Sequence, residues 1–231
     1  MAYELHIANK NYSSWSMRPW VLMKTLGIPF RETLTAFNDQ GGPNPFDTFS
    51  PSGKVPVLVH KDLHIWDSLA IAEYLAESYP HAWPANAPAR AWARSATAEM
   101  HSGFSALRDE CSMNCSLTIE LGEPSAALQG DLARLEALWL DGLSRFHGPW
   151  LGGSDFTTVD AFFAPVAIRL RGYCIALGAD AMAYADRLLK QPYVVQWAHE
   201  AVEERLFDET HEQHCIQGRT VIDDRRKPVA D

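Results

Sequence analysis

Residues 13–18, Ser13-Ser14-Trp15-Ser16-Met17-Arg18, bring three hydroxyls and a guanidinium into one short stretch. The residues before it, Tyr3–Ala8, read as a strand. Those after it, Val21–Leu26, continue a helix that stops at Gly27-Ile28-Pro29. Where a strand hands over to a helix, unpaired N–H groups and the positive helix end converge, an environment that suits an anion. Pro19 belongs to a first helical turn, which puts the helix start near Ser14–Ser16 and leaves Ser13 and Ser14 at its mouth. Two uses of these hydroxyls stand side by side: a helix cap with neighbouring loop polar groups, or a donor to a bound anion.

Three further pairings could do chemistry. Val55-Pro56 opens an expected strand, where a residue without an N–H is tolerated. If that bond is cis, the Val55 N–H and C=O turn outward together and could hold an extended peptide; if trans, it is an ordinary strand end. Asp67-Ser68 precedes a helical run (Leu69, Ile71, Ala72, Leu75) and is either an N-cap or a place for a carboxylate and an ammonium group. Thr157 and Asp160 have capping-box spacing and read as structural. His211-Glu212-Gln213-His214 is not a metalloprotease motif, because the histidines are three apart instead of four. His60, His64 and His81 read as surface residues.

The elements that must position these groups follow in order. After the first strand and helix come a strand at Phe30–Leu34, a Gly/Pro-rich loop at Gln40–Pro45, and a helical turn at most over Phe46–Phe49. A hairpin then joins Val55–His60 to Leu63–Trp66 through Lys61-Asp62, and the Asp67-Ser68 helix follows. The first two strands flank a helix and are expected to be parallel. Residues 81–89 are rich in proline and alanine and read as a linker between a unit at 1–80 and one at 90–231. The second unit reads as all-helical: Ala89–Leu107, Ser125–Phe146, an apolar and so central Thr157–Leu177, Met182–Leu189 and Tyr193–Val202. The charged tail Ile216–Asp231 is expected to be loose or draped.

The 231 residues carry a net charge of −9, which argues against a nucleic-acid phosphate binder. No apolar stretch is long enough to span a membrane, and Met1-Ala2-Tyr3-Glu4 lacks the features of a signal peptide. Cys111, Cys115, Cys174 and Cys215 are dispersed and point to reduced thiols in a cytoplasm, with no metal site.

In this order and spacing, the serine turn, Ser50-Pro51-Ser52-Gly53-Lys54-Val55-Pro56-Val57-Leu58, Asp67–Leu75, the Thr157–Asp160 box and Pro192–Trp197 resemble the glutathione transferase superfamily. The resemblance reaches to about Phe207. It implies a thioredoxin-like α/β domain (βαβαββα) followed by an all-α domain, a homodimer, and glutathione as co-substrate. The serine turn is most similar to that of zeta-type enzymes, with Trp15 where their pattern has cysteine and Asp67 where Glu or Gln is usual.

Carried over, the resemblance implies that Ser13 or Ser14 donates to the glutathione sulfur, Ser13 more directly, with Ser14 supporting the turn. It further implies that Val55, ahead of a cis Pro56, pairs with the cysteinyl backbone. Asp67 and Ser68 would hold the γ-glutamyl end, and Lys54, Lys10 or Arg18 would meet the glycine carboxylate. Glu99 would reach the amino group across a dimer interface. A small electrophile would sit in an apolar pocket near Tyr12, Trp15, Met100 and Phe104. The function implied is a glutathione transferase acting on an apolar electrophile. The alternatives are a glutathione-dependent cis-trans isomerase and a non-catalytic binding protein of the same fold. A disulfide reductase fits less well, since the turn holds no cysteine.

Overall fold

Strand β1 (Tyr3–Ile7) alternates buried and half-buried residues and lies second in a four-stranded sheet of order β2-β1-β3-β4. The structure is a computed structural model and describes residues 3–38 and 41–226. Gln40, in the expected loop, and residues 227–231 of the expected tail lie outside them. Helix α1 (Ser14–Thr25) connects β1 to β2 (Phe30–Leu34), and these two strands are parallel, with Leu5 opposite Glu32. β3 (Val57–His60) runs antiparallel to β1, and β4 (Leu63–Trp66) returns antiparallel to β3. Helix α2 (Ser68–Ala76) closes this thioredoxin-like unit.

The second helix of the βαβαββα pattern is absent among the described residues. Residues 45–49 make only turns, bonded Phe49 N–H to Phe46 C=O at 3.1 Å and Ser50 N–H to the same carbonyl at 2.8 Å. Pro51 and Gly53 follow within a turn, so no helix can extend past this stretch. Pro19 lies beyond the first turn of α1, in its second, further in than expected.

A 3-10 turn at Pro80–Ala82 leads into α3 (Ala87–Ser102) and α4 (Ser105–Glu110). The single helix expected over 89–107 breaks at Gly103-Phe104. Phe104 adopts φ 57°, and a Cβ on Gly103 would lie 2.9 Å from the Glu99 carbonyl oxygen. Then follow β5 (Leu117–Ile119), α5 (Ala126–Phe146), α6 (Thr158–Gly172), α7 (Ala179–Lys190) and α8 (Pro192–Glu203). α6 is buried along nearly its whole length and packs on α1 and α3, which joins the two halves of the chain in one apolar core. Asp160 accepts the Thr157 N–H at 3.0 Å, the half of the capping box that fixes the start of α6.

Two expectations for the second half are corrected. It is not all-helical, and over the described residues its tail is ordered. α9 (Glu209–Ile216) folds back, and β6 (Val221–Asp224) pairs antiparallel with β5. Polar bonds hold this segment where the apolar pattern is weak. Buried Glu212 accepts from Tyr12 Oη at 2.8 Å, Asn114 Nδ2 at 3.0 Å and Arg226 Nη1 at 2.9 Å.

Candidate functional site

The serine turn is held from both ends before any ligand is considered. Asn11 Oδ1 accepts from the Cys115 N–H at 3.0 Å and Ser116 Oγ at 2.8 Å, and the Lys10 carbonyl accepts from Trp197 Nε1 at 3.0 Å. Ser13 is the N-cap of α1. Its hydroxyl donates to Ser16 Oγ at 2.8 Å, and Ser16 Oγ also accepts the Ala8 N–H at 3.3 Å. The expectation that Ser14 is the cap and Ser13 the free hydroxyl is therefore reversed. Ser14 Oγ instead accepts from Arg169 Nη2 at 3.2 Å, and its own proton has no acceptor among the described residues. Arg169 comes from α6, where it interrupts an apolar sequence. It is 5% exposed, and burial holds its guanidinium below the ordinary range.

Two cavities meet at this turn. The first, about 410 Å³, is a groove lined by Trp15, Ser52, Lys54, Val55, Pro56, Trp66, Asp67 and Ser68. The Val55–Pro56 bond is cis, as the motif predicts, and the Val55 main chain has no hydrogen-bond partner among the described residues. Asp67, at φ 75°, caps α2 by accepting the Leu69 N–H at 2.8 Å, and its second oxygen lies 3.2 Å from His101 Nε2 of α3. Ser68 Oγ is buried without a partner. An unsatisfied buried hydroxyl beside a carboxylate and an open main-chain edge is what a zwitterionic peptide could complete.

The second cavity, about 330 Å³, shares Trp15, Lys54 and Val55 with the first. Tyr12, Phe37, Phe46 and Met113 supply apolar walls; Ser14, Arg108 and Arg169 supply polar ones. Sequence reasoning missed its roof. His211 stacks on Phe37 and Tyr12, with ring centroids 4.4 and 5.3 Å apart, and its Nδ1 lies 2.6 Å from Asp208. His214 contributes from the next turn. The available signal was Asp208, the N-cap of α9, which accepts the His211 N–H at 2.9 Å.

Other expected site residues lie elsewhere. Met100 and Phe104 are buried in the core and line neither cavity: Met100 lies on the inward stripe of α3, and Phe104 turns into the core at the α3–α4 break. Glu99 forms a two-pronged pair with Arg134, at 2.6 and 2.8 Å, and also lines neither cavity. Lys10 is buried against Glu32, at 2.7 Å, and Glu200, so its charge is already matched. Arg18 is 1% exposed and sits beneath Trp15, outside the groove lining. Burial raises the Cys111 and Cys115 thiols to about 12 and Cys215 to about 11, so none is a ready nucleophile. Among the described residues no helix is long and apolar enough to cross a membrane, and no group of three or more His, Cys, Asp or Glu is placed to hold a metal.

Residues 12–78 match the family model described as "Glutathione S-transferase, N-terminal domain". The chain is 28% identical over 211 residues to Glutathione S-transferase T1 of Arabidopsis thaliana, which spans 83% of this chain and 81% of that protein. Its fold is similar to that of a glutathione transferase homologue from Burkholderia GL BGR1 solved with bound glutathione. The TM-score is 0.65 at 23% identity, over 87% of this chain and 98% of that one. It is also similar to TDR1 of Leishmania, described as a trimeric glutathione transferase. There the TM-score is 0.68 at 19% identity, over 94% of this chain and 50% of that one.

Proposed function

We propose, because the chain belongs to the glutathione transferase superfamily, that it binds glutathione in the groove and transfers it to an electrophile held in the adjoining cavity. In this reading residues 1–80 form the glutathione unit and one side of the acceptor cavity, 81–89 the linker, and 90–231 the helical unit that completes that cavity. The observation that carries it is Ser14, whose uncommitted hydroxyl proton lies in the wall of the second cavity, next in sequence to Trp15, which lines both, and is backed by a buried arginine.

The chemistry follows from that position. A free cysteine thiol titrates near ~8.5, so most glutathione is protonated at neutral pH. A hydroxyl that donates to sulfur favours the thiolate, and Arg169, donating to the same oxygen, makes that hydroxyl a stronger donor. With the α1 N-terminus this could lower the thiol pKa by roughly two units, about 2.7 kcal/mol. The Val55 main chain would pair with the cysteinyl residue. Asp67 would take the ammonium group, Ser68 the γ-glutamyl carboxylate, and Lys54 the glycine carboxylate. The acceptor would lie against Tyr12, Trp15, Phe37 and Phe46.

Titrating the protein with glutathione while following thiolate absorbance in the ultraviolet tests the reading. Saturable binding with thiolate formed below pH 7.5 is expected. Neither binding nor retention on immobilised glutathione would overturn it, and binding with no thiolate would favour a non-catalytic binder.

A further inference from the structure

In a chain of net charge −9, the acceptor cavity is lined by Lys54, Arg108, Arg169, His211 and His214, with no aspartate or glutamate among the lining residues. Arg108 and Arg169 have no carboxylate within 4.0 Å among the described residues, and neither has Arg18 behind them. Eleven cation–anion contacts lie elsewhere among the described residues, and none of them includes Arg18, Arg108 or Arg169. All three converge on Ser14 and Trp15. Arg18 and Arg108 lie 4.2 and 4.7 Å from the Trp15 ring centre, and Arg169 bonds Ser14.

Each guanidinium is tethered without being neutralised. Arg108 donates from Nε to the Gly103 carbonyl at 3.0 Å and from Nη2 to the Met100 carbonyl, and its Nη1 has no acceptor among the described residues. Arg18 is held between the Trp15 and Phe162 rings, with Nε and Nη1 buried and unpartnered. Burial, and then the charge of Arg169, holds Arg108 down at about 10; burial, and then Arg108 and Arg169, lowers Arg18. Arginine nevertheless keeps its proton in proteins. Asp131 and Asp109 offset Arg108, and Asp67 offsets Arg18, only from beyond ion-pair distance. Collecting like charges out of water without a directly paired counter-charge is costly, and a planar carboxylate is the group whose geometry matches a guanidinium fork.

We propose that the acceptor is an aromatic or apolar molecule bearing a carboxylate, and that Arg108 is the residue that selects for it. This rests on the glutathione reading above and changes one part of it: the cavity's walls are apolar, but its polar lining calls for an anion.

Three conjugates of glutathione probe the cavity without requiring turnover: S-benzylglutathione, S-(4-carboxybenzyl)glutathione and the methyl ester of the latter. Their affinities are measured by calorimetry for the full chain and for Arg108→Gln and Arg108→Lys. The carboxylate is expected to bind at least about tenfold tighter than its ester, as a charge-assisted bond would give. In Arg108→Gln that ratio should collapse to within about twofold, and in Arg108→Lys part of it should return. Because Arg108 also supports the α3–α4 connection, S-benzylglutathione affinity shows whether each variant keeps its fold. A wild-type ratio near one, or a ratio that Arg108→Gln leaves intact, overturns the proposal while glutathione binding stands. If S-benzylglutathione does not bind wild type, both the glutathione reading and this proposal fall.

Discussion

Arg169 reaches from the central helix α6 to place its Nη2 3.2 Å from Ser14 Oγ, so a residue of the helical half supports the first turn of the thioredoxin-like half. Ser13, one step earlier, spends its hydroxyl on Ser16 as the helix cap. Ser14→Ala is expected to raise the bound thiol pKa and to cut turnover strongly at pH 6.5 but little at pH 9, with glutathione affinity nearly unchanged. Ser13→Ala should leave the thiol pKa in place and cost about 1 kcal/mol of stability. Thiolate absorbance against pH, beside thermal melts, decides between them; the opposite pattern would return the thiol to Ser13.

Arg169→Met separates function from stability. Removing the cation should raise the thiol pKa by roughly one unit, about 1.4 kcal/mol. Stability should change by less than about 1 kcal/mol, because the variant also removes an unpaired buried charge. A large loss of stability with no change in thiol pKa would mean that Arg169 serves packing alone.

Tyr12 lines the cavity, but its hydroxyl donates to buried Glu212 at 2.8 Å, and burial holds the phenol well above its ordinary value. Tyr12→Phe should cost about 1 kcal/mol and leave thiolate formation as it is in wild type. A shift in the absorbance titration of this variant would assign the sulfur contact to Tyr12 instead.

Glu204 gives a pH dependence with a definite sign. Burial lifts its carboxyl from about 4.5 to about 7, against the Lys10 N–H that it accepts at 2.9 Å. The folded state thus holds this proton more tightly than the unfolded chain does. The contribution to stability is fully present below pH 4.5 and is lost as pH rises through 7. Glu204→Gln should therefore gain Tm relative to wild type as pH climbs across that window. A difference that stays constant with pH would mean that Glu204 titrates normally when folded.

The parts legible in the sequence were those fixed by neighbours along the chain. The serine turn, the Val55–Pro56 bond, the Lys61-Asp62 hairpin and the Asp67 cap each depend on a few consecutive residues, and each stands where its motif implied. Apolar spacing gave the helices but misled about their contents: Met100 faces the core on the α3 stripe, and Phe104 reaches the core from a break that the spacing did not show. Arg108 and Arg169 were illegible because their meaning comes from contacts with Trp15 and Ser14, far away in sequence. Arg169 left one trace, a charge directly after the apolar run Ala161–Ile168 of a buried helix, where an unpaired cation is rarely tolerated without use. α9 and β6 were hidden for the opposite reason: buried polar bonds around Glu212 order them, and hydrophobic periodicity does not register such bonds.

The groove draws its lining from residues 15–68, whereas the roof of the cavity comes from α9. The peptide groove therefore owes nothing to α9, while the acceptor cavity combines residues from both halves of the chain. Residues 208–226 meet the cavity only through His211 and His214, and are anchored elsewhere by Tyr12 and Asn114 on Glu212, by β6 on β5 and by Arg225 on the Ser116 carbonyl. A lineage, or an engineer, could reshape the roof over the acceptor at positions 211 and 214 while the peptide groove is inherited unchanged.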